Sequence, residues 1–333
     1  MNYDFIAIGD ITIDAFIRLS EAKVHCKINR EDCEICMRFA DKIPYEDVFV
    51  VPGVGNSANA AVSATKLGLK SALVANIGDD FFGKQCVQAL KKAKVSTEYI
   101  ATHEKTKTNY HYVLWYEDDR TILVKHRSYP YSLPAMVNPR WVYLSSLGKD
   151  SEEFHKMIEQ YLMQNPEVKL AFQPGTYQMK MGVEKLKNIY QRTEVFIVNK
   201  EEAERILQVA ENNSPKSNIQ NLLLGLHNLG PRIVVITDGP AGAYASDGKQ
   251  AWFMKTYPDP KPPYERTGAG DAFSSTFVAA LALGNSIEDA LRWAPINAMS
   301  VVQQVGAQAG LLTKEKILEY LKTAPVDYKP QPI

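Results

Sequence analysis

Short apolar runs alternate with longer amphipathic stretches along the chain, and this pattern predicts the fold. The apolar runs are rich in β-branched and aromatic residues, as expected for strands buried on both faces of a sheet. They lie at 5–8, 72–77, 141–144, 168–172, 195–198 and 233–237. Stretches with helical character lie at 57–67, 83–93, 152–164, 200–209, 219–228, 270–283, 287–304 and 314–322. Strands separated by helices predict an α/β fold, with a mostly parallel sheet covered by helices on both faces.

Two regions interrupt this alternation. The first, 11–51, has strand character at both ends and a polar, cysteine-bearing middle. The second, 109–126, predicts a hairpin, because apolar and polar residues alternate there with the period of a half-exposed sheet. We therefore expect one domain over residues 1–333, with a small β appendage formed by segments of about 11–18, 20–51 and 109–126.

Charged residues balance in this chain of 333 residues, with 38 Lys and Arg against 38 Asp and Glu. A neutral chain has no electrostatic reason to bind nucleic acid or an anionic membrane as its main partner. No apolar run approaches the ~18 residues that a transmembrane helix needs. The acidic N-terminal segment does not resemble a signal peptide. These features favour a cytoplasmic location.

The segment Thr267-Gly268-Ala269-Gly270-Asp271 comes directly before an apolar helical run. Glycines at a helix start leave backbone N–H groups bare, and the helix dipole adds positive charge there. This arrangement suits a phosphoryl group, and an aspartate beside it can accept a proton from an attacking hydroxyl. A tight turn with Asp271 as an ordinary helix cap is the structural alternative. No Gly-Lys-Ser/Thr follows, which excludes a Walker A loop.

This segment and the helix after it resemble the second signature of the PfkB carbohydrate kinase family, also called the ribokinase-like family. The resemblance covers almost the whole chain. It implies a three-layer α/β/α sandwich with a mostly parallel sheet and a small β-sheet lid, which the β appendage would form. It also implies that Asp271 is the general base and that Gly268, Ala269 and Gly270 form an anion hole for the transferred phosphoryl group.

Two upstream motifs resemble the family's substrate-binding elements. Residues 9–14 resemble its opening strand and turn, which implies that Asp14 binds sugar hydroxyl groups; an Asx turn is the alternative. Gly55 and Asn59 match the family's first signature, although Val54 stands where its first glycine is expected. The resemblance implies that Gly55 and Asn59 take part in substrate binding.

Two acidic positions would serve metal ions. Asn199 and Glu202 resemble the family's Asn-x-x-Glu motif, which implies that Asn199 lies at the ATP and that Glu202 positions Mg²⁺ through water. An ordinary helix cap explains the same pair. In the family a monovalent cation such as K⁺ often lies behind the anion hole, held partly by an aspartate; here Glu265, followed by Arg266, takes that place.

Two further motifs resemble the nucleotide side of the family site. Thr237 and Gly239 end a predicted strand as Thr-x-Gly, which implies contact with the ATP phosphates. Asn297 and Gly306 would lie beside the adenine. A strand followed by a Gly-Pro turn, and a core helix, are the corresponding structural alternatives.

The resemblance implies ATP-dependent phosphotransfer to a hydroxyl of a free sugar, ribose-like or a ketose. A nucleoside is the second substrate class, because aromatic residues of the appendage can form a slot for a base. A sugar phosphate would need a basic clamp, for which the appendage offers only scattered candidates such as Lys107 and Arg127. A catalytically silent sugar- or nucleotide-binding regulator is the alternative from another class.

Three cysteines, Cys26, Cys33 and Cys36, fall within the polar part of the appendage, with His25 beside them. Zinc binding is one interpretation of this cluster. A reducing cytosol disfavours disulfides, so we expect three reduced cysteines inside a small flap.

The β appendage also predicts self-association. A sheet with an exposed apolar face usually finds a partner, and dimerisation through the lid is common in the family. We expect a homodimer.

Overall fold

The computed structural model describes residues 2–26, 33–209 and 218–333, and its strands form three sheets. The strands of this part of the chain are β1 Phe5–Ile8, β2 Thr12–Leu19, β3 Lys23–His25, β4 Glu34–Cys36, β5 Tyr45–Val54, β6 Ser71–Gly78, β7 Ile100–His103, β8 Asn109–Tyr116, β9 Asp119–Leu123, β10 Trp141–Leu144, β11 Lys169–Phe172, β12 Thr193–Asn199, β13 Ile233–Thr237, β14 Ala243–Ser246, β15 Ala251–Met254 and β16 Gln331–Pro332.

The helices cover the faces of the largest sheet. They are α1 Asn56–Lys66, α2 Phe81–Lys92, α3 Glu152–Gln164, α4 Thr176–Met181, α5 Lys187–Arg192, α6 Lys200–Ile206, α7 Ile219–His227, α8 Ala269–Ala282, α9 Ile287–Val301 and α10 Lys314–Lys322. In the described segments, no helix combines the length and the apolar character that a bilayer span requires.

The largest sheet has ten strands in the described chain, in the order β16-β15-β14-β13-β12-β11-β10-β1-β6-β7. The strands from β13 to β7 run parallel, and β14, β15 and β16 extend the sheet in antiparallel fashion. The carboxyl ends of the parallel strands therefore share one edge, where the segments after them meet.

The all-apolar strands are buried on both faces, as their sequences predict. In β1, Phe5 and Ala7 enter a core formed with α1, α2, α8, α9 and α10. The alternate residues Ile6 and Ile8 enter a second core formed with α3, α5, α6 and α7. Because successive strand side chains point to opposite faces, a run with no polar residue requires helices on both sides.

A second sheet, β5-β2-β8-β9, forms the lid. Its side chains divide with period two. Phe16 and Val113 are buried on its inner face. Val50, Tyr112 and Leu123 share the outer face and are 51%, 48% and 51% exposed. A mostly parallel sheet between two helical layers, with a small separate sheet, confirms the predicted fold class.

The predicted strands and helices are all present, with ends that move by up to three residues. The missed strands of the large sheet are β7, β14, β15 and β16. β7 and β16 lie at the two ends of the sheet and are partly or fully exposed, so they lack a continuous apolar run. The short antiparallel pair β14 and β15 was overlooked, although its two strands flank a turn rich in Ser, Asp and Gly.

The expectation of three reduced cysteines is wrong for two of them, since Cys26 and Cys33 form a disulfide. The hairpin β3–β4 explains this pairing. His25 of β3 pairs with Glu34 of β4. Cys26 directly follows His25 and Cys33 directly precedes Glu34, so the two cysteines face each other at the end of the hairpin. Their Cα atoms are 4.0 Å apart. Cys36 remains free and half-buried, and the described residues contain no group of three or more His, Cys, Asp or Glu placed to hold a metal ion.

Candidate active site

A cleft of about 540 Å³ lies at the carboxyl edge of the large sheet, below the lid. Polar residues that follow the central strands line its floor: Asp10, Ser146, Gln173, Asn199 and Thr237. The start of α1 contributes Gly55, Asn56 and Asn59, and the start of α8 contributes Thr267, Gly268, Gly270 and Asp271. The lid covers the cleft with Asp14, His111, Arg120 and Ile122. Four parts of the structure, the sheet edge, the start of α1, the start of α8 and the lid, therefore converge on one space.

The two glycines at the start of α8 have different physical roles. Gly268 has φ 83° in the left-handed region, and a Cβ on it would lie 2.3 Å from the Cβ of Ala307. Only glycine fits this position without strain. A Cβ on Gly270 would meet no protein atom within 4 Å, so this glycine keeps the mouth of the cleft open.

The first turn of α8 presents two free N–H donors beside the cleft. The N–H groups of Gly270 and Asp271 have no acceptor among the described residues. The N–H of Ala269 instead donates to the carbonyl of Arg266 at 3.4 Å, and Ala269 does not line the cleft. Two unpaired donors at the positive end of a helix dipole are suited to a phosphoryl group.

Three side-chain amides hold the carboxylate of Asp271. Asn56 donates to Oδ1 at 2.8 Å, Asn59 donates to Oδ2 at 2.8 Å, and Gln173 donates to Oδ1 at 3.3 Å. Burial raises the pKa of Asp271 above its ordinary value, and nearby Asp14 adds to the rise, while the three amides lower it. The net pKa is raised, so the carboxylate is more basic than an exposed aspartate and suits proton abstraction.

The orientation of these amides is fixed by further hydrogen bonds. Gln308 donates to Oδ1 of Asn59 at 2.9 Å, which directs the NH₂ group of Asn59 to Asp271. The hydroxyl of Tyr143 donates to Oε1 of Gln173 at 2.5 Å and does the same there. Asn59 thus lines the cleft, but its NH₂ contact is with the carboxylate of Asp271.

The lid end of the cleft is acidic and contains two histidines. Oδ1 of Asp14 lies 3.4 Å from Nδ1 of His111, and both Asp14 Oδ1 and His111 Nε2 are buried without a hydrogen-bond partner in the described protein. Asp10 receives a hydrogen bond from Tyr131 at 2.9 Å and lies 3.1 Å from Nδ1 of His126. Buried carboxylate and imidazole atoms without partners are suited to the hydroxyl groups of a polar ligand.

The opposite end of the cleft combines Asn199, Glu202 and Thr237. Asn199 and Thr237 are neighbours at the carboxyl ends of β12 and β13. Asn199 caps α6: its side chain accepts from the N–H of Glu202 at 2.8 Å, and Oε2 of Glu202 accepts from the N–H of Asn199 at 2.9 Å. The capping alternative is therefore present in the structure, and both residues also line the cleft.

Glu202 fits a role beside a hydrated Mg²⁺ ion. Burial raises the pKa of its carboxyl group, which a cation nearby would offset. One carboxylate oxygen serves the helix cap, and the residue reaches the cleft. A single carboxylate is a suitable partner for Mg²⁺, which keeps several of its waters.

Three predicted nucleotide residues do not line this cleft. Gly239 lies in a turn beside it with φ 50°. Gly306 packs near Val51 of the lid. Asn297 is fully buried: its NH₂ group donates to Thr276 at 2.7 Å, and its Oδ1 accepts from the N–H of Leu312 at 2.8 Å. Both ends of the Asn297 amide are used inside the protein.

Glu265, the predicted cation ligand, is also fully buried and does not line the cleft. Its carboxylate accepts from the N–H of Thr267 at 2.7 Å and from the N–H of Gly306 at 3.3 Å. It therefore ties the loop before α8 to the loop after α9.

The lid touches the loop before α8 directly. Arg266 donates to Oδ2 of Asp118, in the turn between β8 and β9, at 2.7 and 3.0 Å. Arg18 of β2 donates to the hydroxyl of Tyr264 at 2.8 Å and lies over the ring of Trp115. The loop before α8 and the lid are thus joined by charged and aromatic contacts.

Several cleft residues were missed from sequence. Gln173 directly follows a predicted strand, so the shared carboxyl edge of a parallel sheet was a usable signal. His111 pairs with Asp14 in the lid register, which a hairpin prediction alone does not fix. Asp10 lies within the 9–14 motif and Asn56 directly follows Gly55, so both stood inside motifs that predicted a site; His126 carried no distinguishing pattern.

Comparison with known proteins identifies the family. The model of the pfkB family carbohydrate kinases matches residues 27–314. The chain belongs to this family. The predicted resemblance is therefore confirmed, and this pfkB family kinase is a phosphotransferase with an alcohol group as acceptor.

Curated relatives of this pfkB family kinase act on different sugars. It is 28% identical over 276 residues to the ribokinase of Bacillus subtilis strain 168, covering 81% of this chain and 88% of the relative. It is 24% identical over 254 residues to the ATP-dependent 6-phosphofructokinase of Thermoanaerobacterium thermosaccharolyticum, covering 71% and 74%. The similarity therefore supports a sugar kinase and does not select one sugar.

Solved structures show the same fold. The ribokinase of Arabidopsis thaliana, complexed with ribose and ATP, has a TM-score of 0.78 at 19% identity, with 97% of this chain and 99% of that chain covered. The ribokinase of Giardia lamblia has a TM-score of 0.79 at 17% identity, with the same coverage. These matches establish the ribokinase fold over nearly the whole pfkB family kinase.

The two glycines of α8 give a matched pair of variants. Gly268→Ala forces a methyl group against Ala307 at positive φ, so we expect a loss of about 1–3 kcal/mol in the free energy of unfolding.

Gly270→Ala adds helix propensity of roughly 0.5–1 kcal/mol and puts the methyl beside the free amides. We expect unchanged or slightly higher stability and a fall in kcat/KM of about tenfold or more. Urea unfolding and steady-state kinetics measure both; full activity of Gly270→Ala would exclude the α8 amides as the phosphoryl site.

Asn297→Ala tests whether this residue binds nucleotide or supports the core. The change leaves the N–H of Leu312 without its buried acceptor, so we expect a loss of about 1–3 kcal/mol in unfolding free energy. The dissociation constant for ATP, measured by calorimetry on the folded variant, should change less than threefold. A large loss of ATP affinity at normal stability would restore the nucleotide role predicted from sequence.

Proposed function

We propose that this protein transfers the γ-phosphoryl group of ATP to a hydroxyl of a sugar, with Asp271 as general base. The observation that carries this proposal is the position of Asp271. Its carboxylate lies next to two unpaired amides at the positive end of α8, in a cleft that has hydroxyl-binding carboxylates at one end and Asn199 and Thr237 at the other.

The acceptor binds at the lid end. The carboxylates of Asp10 and Asp14 can each accept from sugar hydroxyls, and His111 offers a nitrogen that has no other partner in the described protein. One hydroxyl then faces Asp271. Holding both reactants in one cleft supplies much of the rate enhancement, since phosphoryl transfer depends mainly on positioning and charge neutralisation.

Proton removal and phosphoryl transfer follow from the geometry around Asp271. The carboxylate takes the hydroxyl proton while the oxygen attacks the γ-phosphorus in line. The bond between that phosphorus and the β,γ-bridging oxygen breaks, and ADP is the leaving group. The N–H groups of Gly270 and Asp271 receive the negative charge that develops on the phosphoryl oxygens. After transfer the proton resides on Asp271, where Asn56, Asn59 and Gln173 keep the carboxyl group in place.

ATP would lie along the side of Asn199, Thr237 and Glu202. Mg²⁺, when bound, neutralises phosphate charge, and Glu202 would hold its water shell. The solved relatives include a ribokinase with ribose and ATP and a ribokinase-fold protein from E. coli with ATP and Mg²⁺, which supports this cofactor set. No step in the proposal depends on a monovalent cation, because both oxygens of Glu265 are bonded to backbone amides.

We also propose a homodimer that buries the outer face of the lid. Val50, Tyr112 and Leu123 lie in one cross-strand row and are each about half exposed. An apolar row on a thin sheet is unfavourable in water and is covered by self-association at low cost.

The function is tested by ATP consumption with a panel of free sugars, sugar derivatives and nucleosides. We expect turnover with a sugar, and Asp271→Asn should lower kcat by about 10²–10⁴-fold, the usual contribution of a general base. Circular dichroism and the melting temperature check that the variant is folded. If Asp271→Asn keeps most of its turnover, Asp271 is not the base; if no compound is phosphorylated, the protein is a non-catalytic binder.

The acid side of the pH profile gives an independent test. The base must be ionised, so kcat/KM should fall as the pH drops through the raised pKa of Asp271, above the ordinary aspartate value of about 3.9. Asn56→Leu removes a donor that favours the ionised form, so the acid limb should move to higher pH. Lys322→Gln, on the exposed end of α10, is the control that should leave the limb in place. If the acid limb of Asn56→Leu does not shift, the fall of kcat/KM at low pH does not report the ionisation of Asp271.

A further inference from the structure

A second cavity of about 230 Å³ adjoins the lid end of the cleft. It is formed by the segment 124–128 after β9, by Tyr131, by 148–150 after β10, and by Tyr177 of α4. Val124, His126 and Tyr177 line both cavities, so a ligand in the cleft can extend into the second one. We name this second cavity the side pocket.

The side pocket is positively charged. Lys125, Arg127 and Lys149 line it against one carboxylate, Asp150, which receives a hydrogen bond from Ser128 at 2.6 Å. None of the three cations has an ion-pair partner among the described residues. With the histidine neutral, three positive charges and one negative charge leave two positive charges, equal and opposite to those of a phosphate monoester dianion.

Arg127 is the most strongly positioned of these cations. Its backbone N–H donates to Oδ1 of Asn109 at 2.7 Å, and Asn109 in turn donates to the carbonyl of Ile11 at 3.1 Å. The Nε–H of Arg127 is shielded from solvent and has no hydrogen-bond partner in the described protein. A shielded guanidinium N–H without an acceptor is unfavourable, and an anionic ligand in the side pocket would supply that acceptor.

The charges of the two cavities are separated. The main cleft is acidic on balance, because Asp10, Asp14, Glu202 and Asp271 line it against Arg120, which pairs with Asp119, and Lys180. The side pocket has the opposite balance. His126 stands at the boundary, with Nδ1 3.1 Å from Asp10 and its ring beside Tyr177. Carboxylates suit the hydroxyl groups of a sugar and would repel an anion, so an anionic substituent is more favourably placed in the side pocket than beside Asp10 and Asp14.

We propose that the acceptor is an anionic sugar, in the first place a sugar monophosphate, whose charged group binds in the side pocket. The hydroxyl that is phosphorylated lies at the opposite side of the sugar, beside Asp271. This inference rests on the proposed kinase function and names its substrate class. The product would then carry two phosphate groups.

The test compares sugar monophosphates, sugar acids and the parent neutral sugars, with the full chain and ATP. We expect kcat/KM for a monophosphate to exceed that for its parent sugar by at least about tenfold, the usual worth of charge-assisted contacts. In Arg127→Gln/Lys149→Gln this ratio should fall about 10- to 100-fold, through KM. The double variant Lys91→Gln/Lys92→Gln, which removes two exposed charges outside both cavities, should keep the ratio of the parent protein.

Binding without turnover separates this proposal from the kinase proposal. Calorimetry with a sugar monophosphate and Asp271→Asn, without ATP, should show binding that Arg127→Gln/Lys149→Gln weakens about tenfold or more. That result would support the side pocket even if no phosphorylation occurs. A sugar acid that is preferred and shows the same dependence supports the same anion site with a carboxylate as the ligand group.

Two results would overturn the proposal. Preferred turnover of neutral sugars, unaffected by charge on the acceptor, would leave the kinase intact and remove the side pocket as a substrate site. Equal monophosphate binding by the parent protein and Arg127→Gln/Lys149→Gln would assign that binding to the amides of α8 instead. Melting temperatures of the variants confirm that each is folded.

Discussion

The hydrogen bonds to the partly buried carboxylate of Asp271 hold the centre of the candidate site together. Burial works against the charge of Asp271, and Asp14 works against it further, so the protein must supply hydrogen bonds to the charged form. Three amides do this, from α1 and from the end of β11. Each is held in turn by a residue from elsewhere in the chain or by its helix. The carboxylate of Asp271 in α8 therefore contacts α1 and the end of β11 at the same time. A shift of any of these elements would leave the carboxylate without hydrogen-bond partners.

This requirement explains why polar residues collect where the apolar strands end. The buried positions of the central strands carry no charged residue, whereas the carboxyl edge of the sheet opens to solvent and to the first turns of α1 and α8. Asn199 has three roles at this edge: it ends β12, caps α6 and lines the cleft. Beside the lid end of the cleft lies the side pocket, where Lys125, Arg127 and Lys149 outnumber the single carboxylate of Asp150.

The sequence predicted the central sheet, the lid and the glycine-rich start of α8, because each of these has a local signal: an apolar run, a period of two, or glycines before a helix. It did not predict which polar residues face one another. The substrate role predicted for Asn59 stays a prediction, whereas the contact of its NH₂ group with Asp271, a residue 212 positions later, has no signal in the sequence. Asn297 stands in an apolar helix and was expected beside adenine, yet it bonds to Thr276 and Leu312 in the core. Such choices depend on tertiary distances, which no local pattern encodes. The disulfide between Cys26 and Cys33 also depends on a tertiary distance, because the β3–β4 pairing that brings the two cysteines together has no signal in the cysteine spacing.

Arg266 links the glycine-rich start of α8 to the lid. It stands directly before Thr267-Gly268-Ala269-Gly270-Asp271, and its guanidinium donates to Asp118 in the turn of the lid hairpin. Arg266 and Asp118 are 37% and 47% exposed, so their ion pair is worth only about 0–1 kcal/mol. The hydrogen bond from Arg18 to Tyr264 and the edge-to-face contact of Trp115 with Tyr264 also join the lid to the loop before α8. In the proposed mechanism, a lid held by contacts of this strength opens for the acceptor and closes again at little energetic cost.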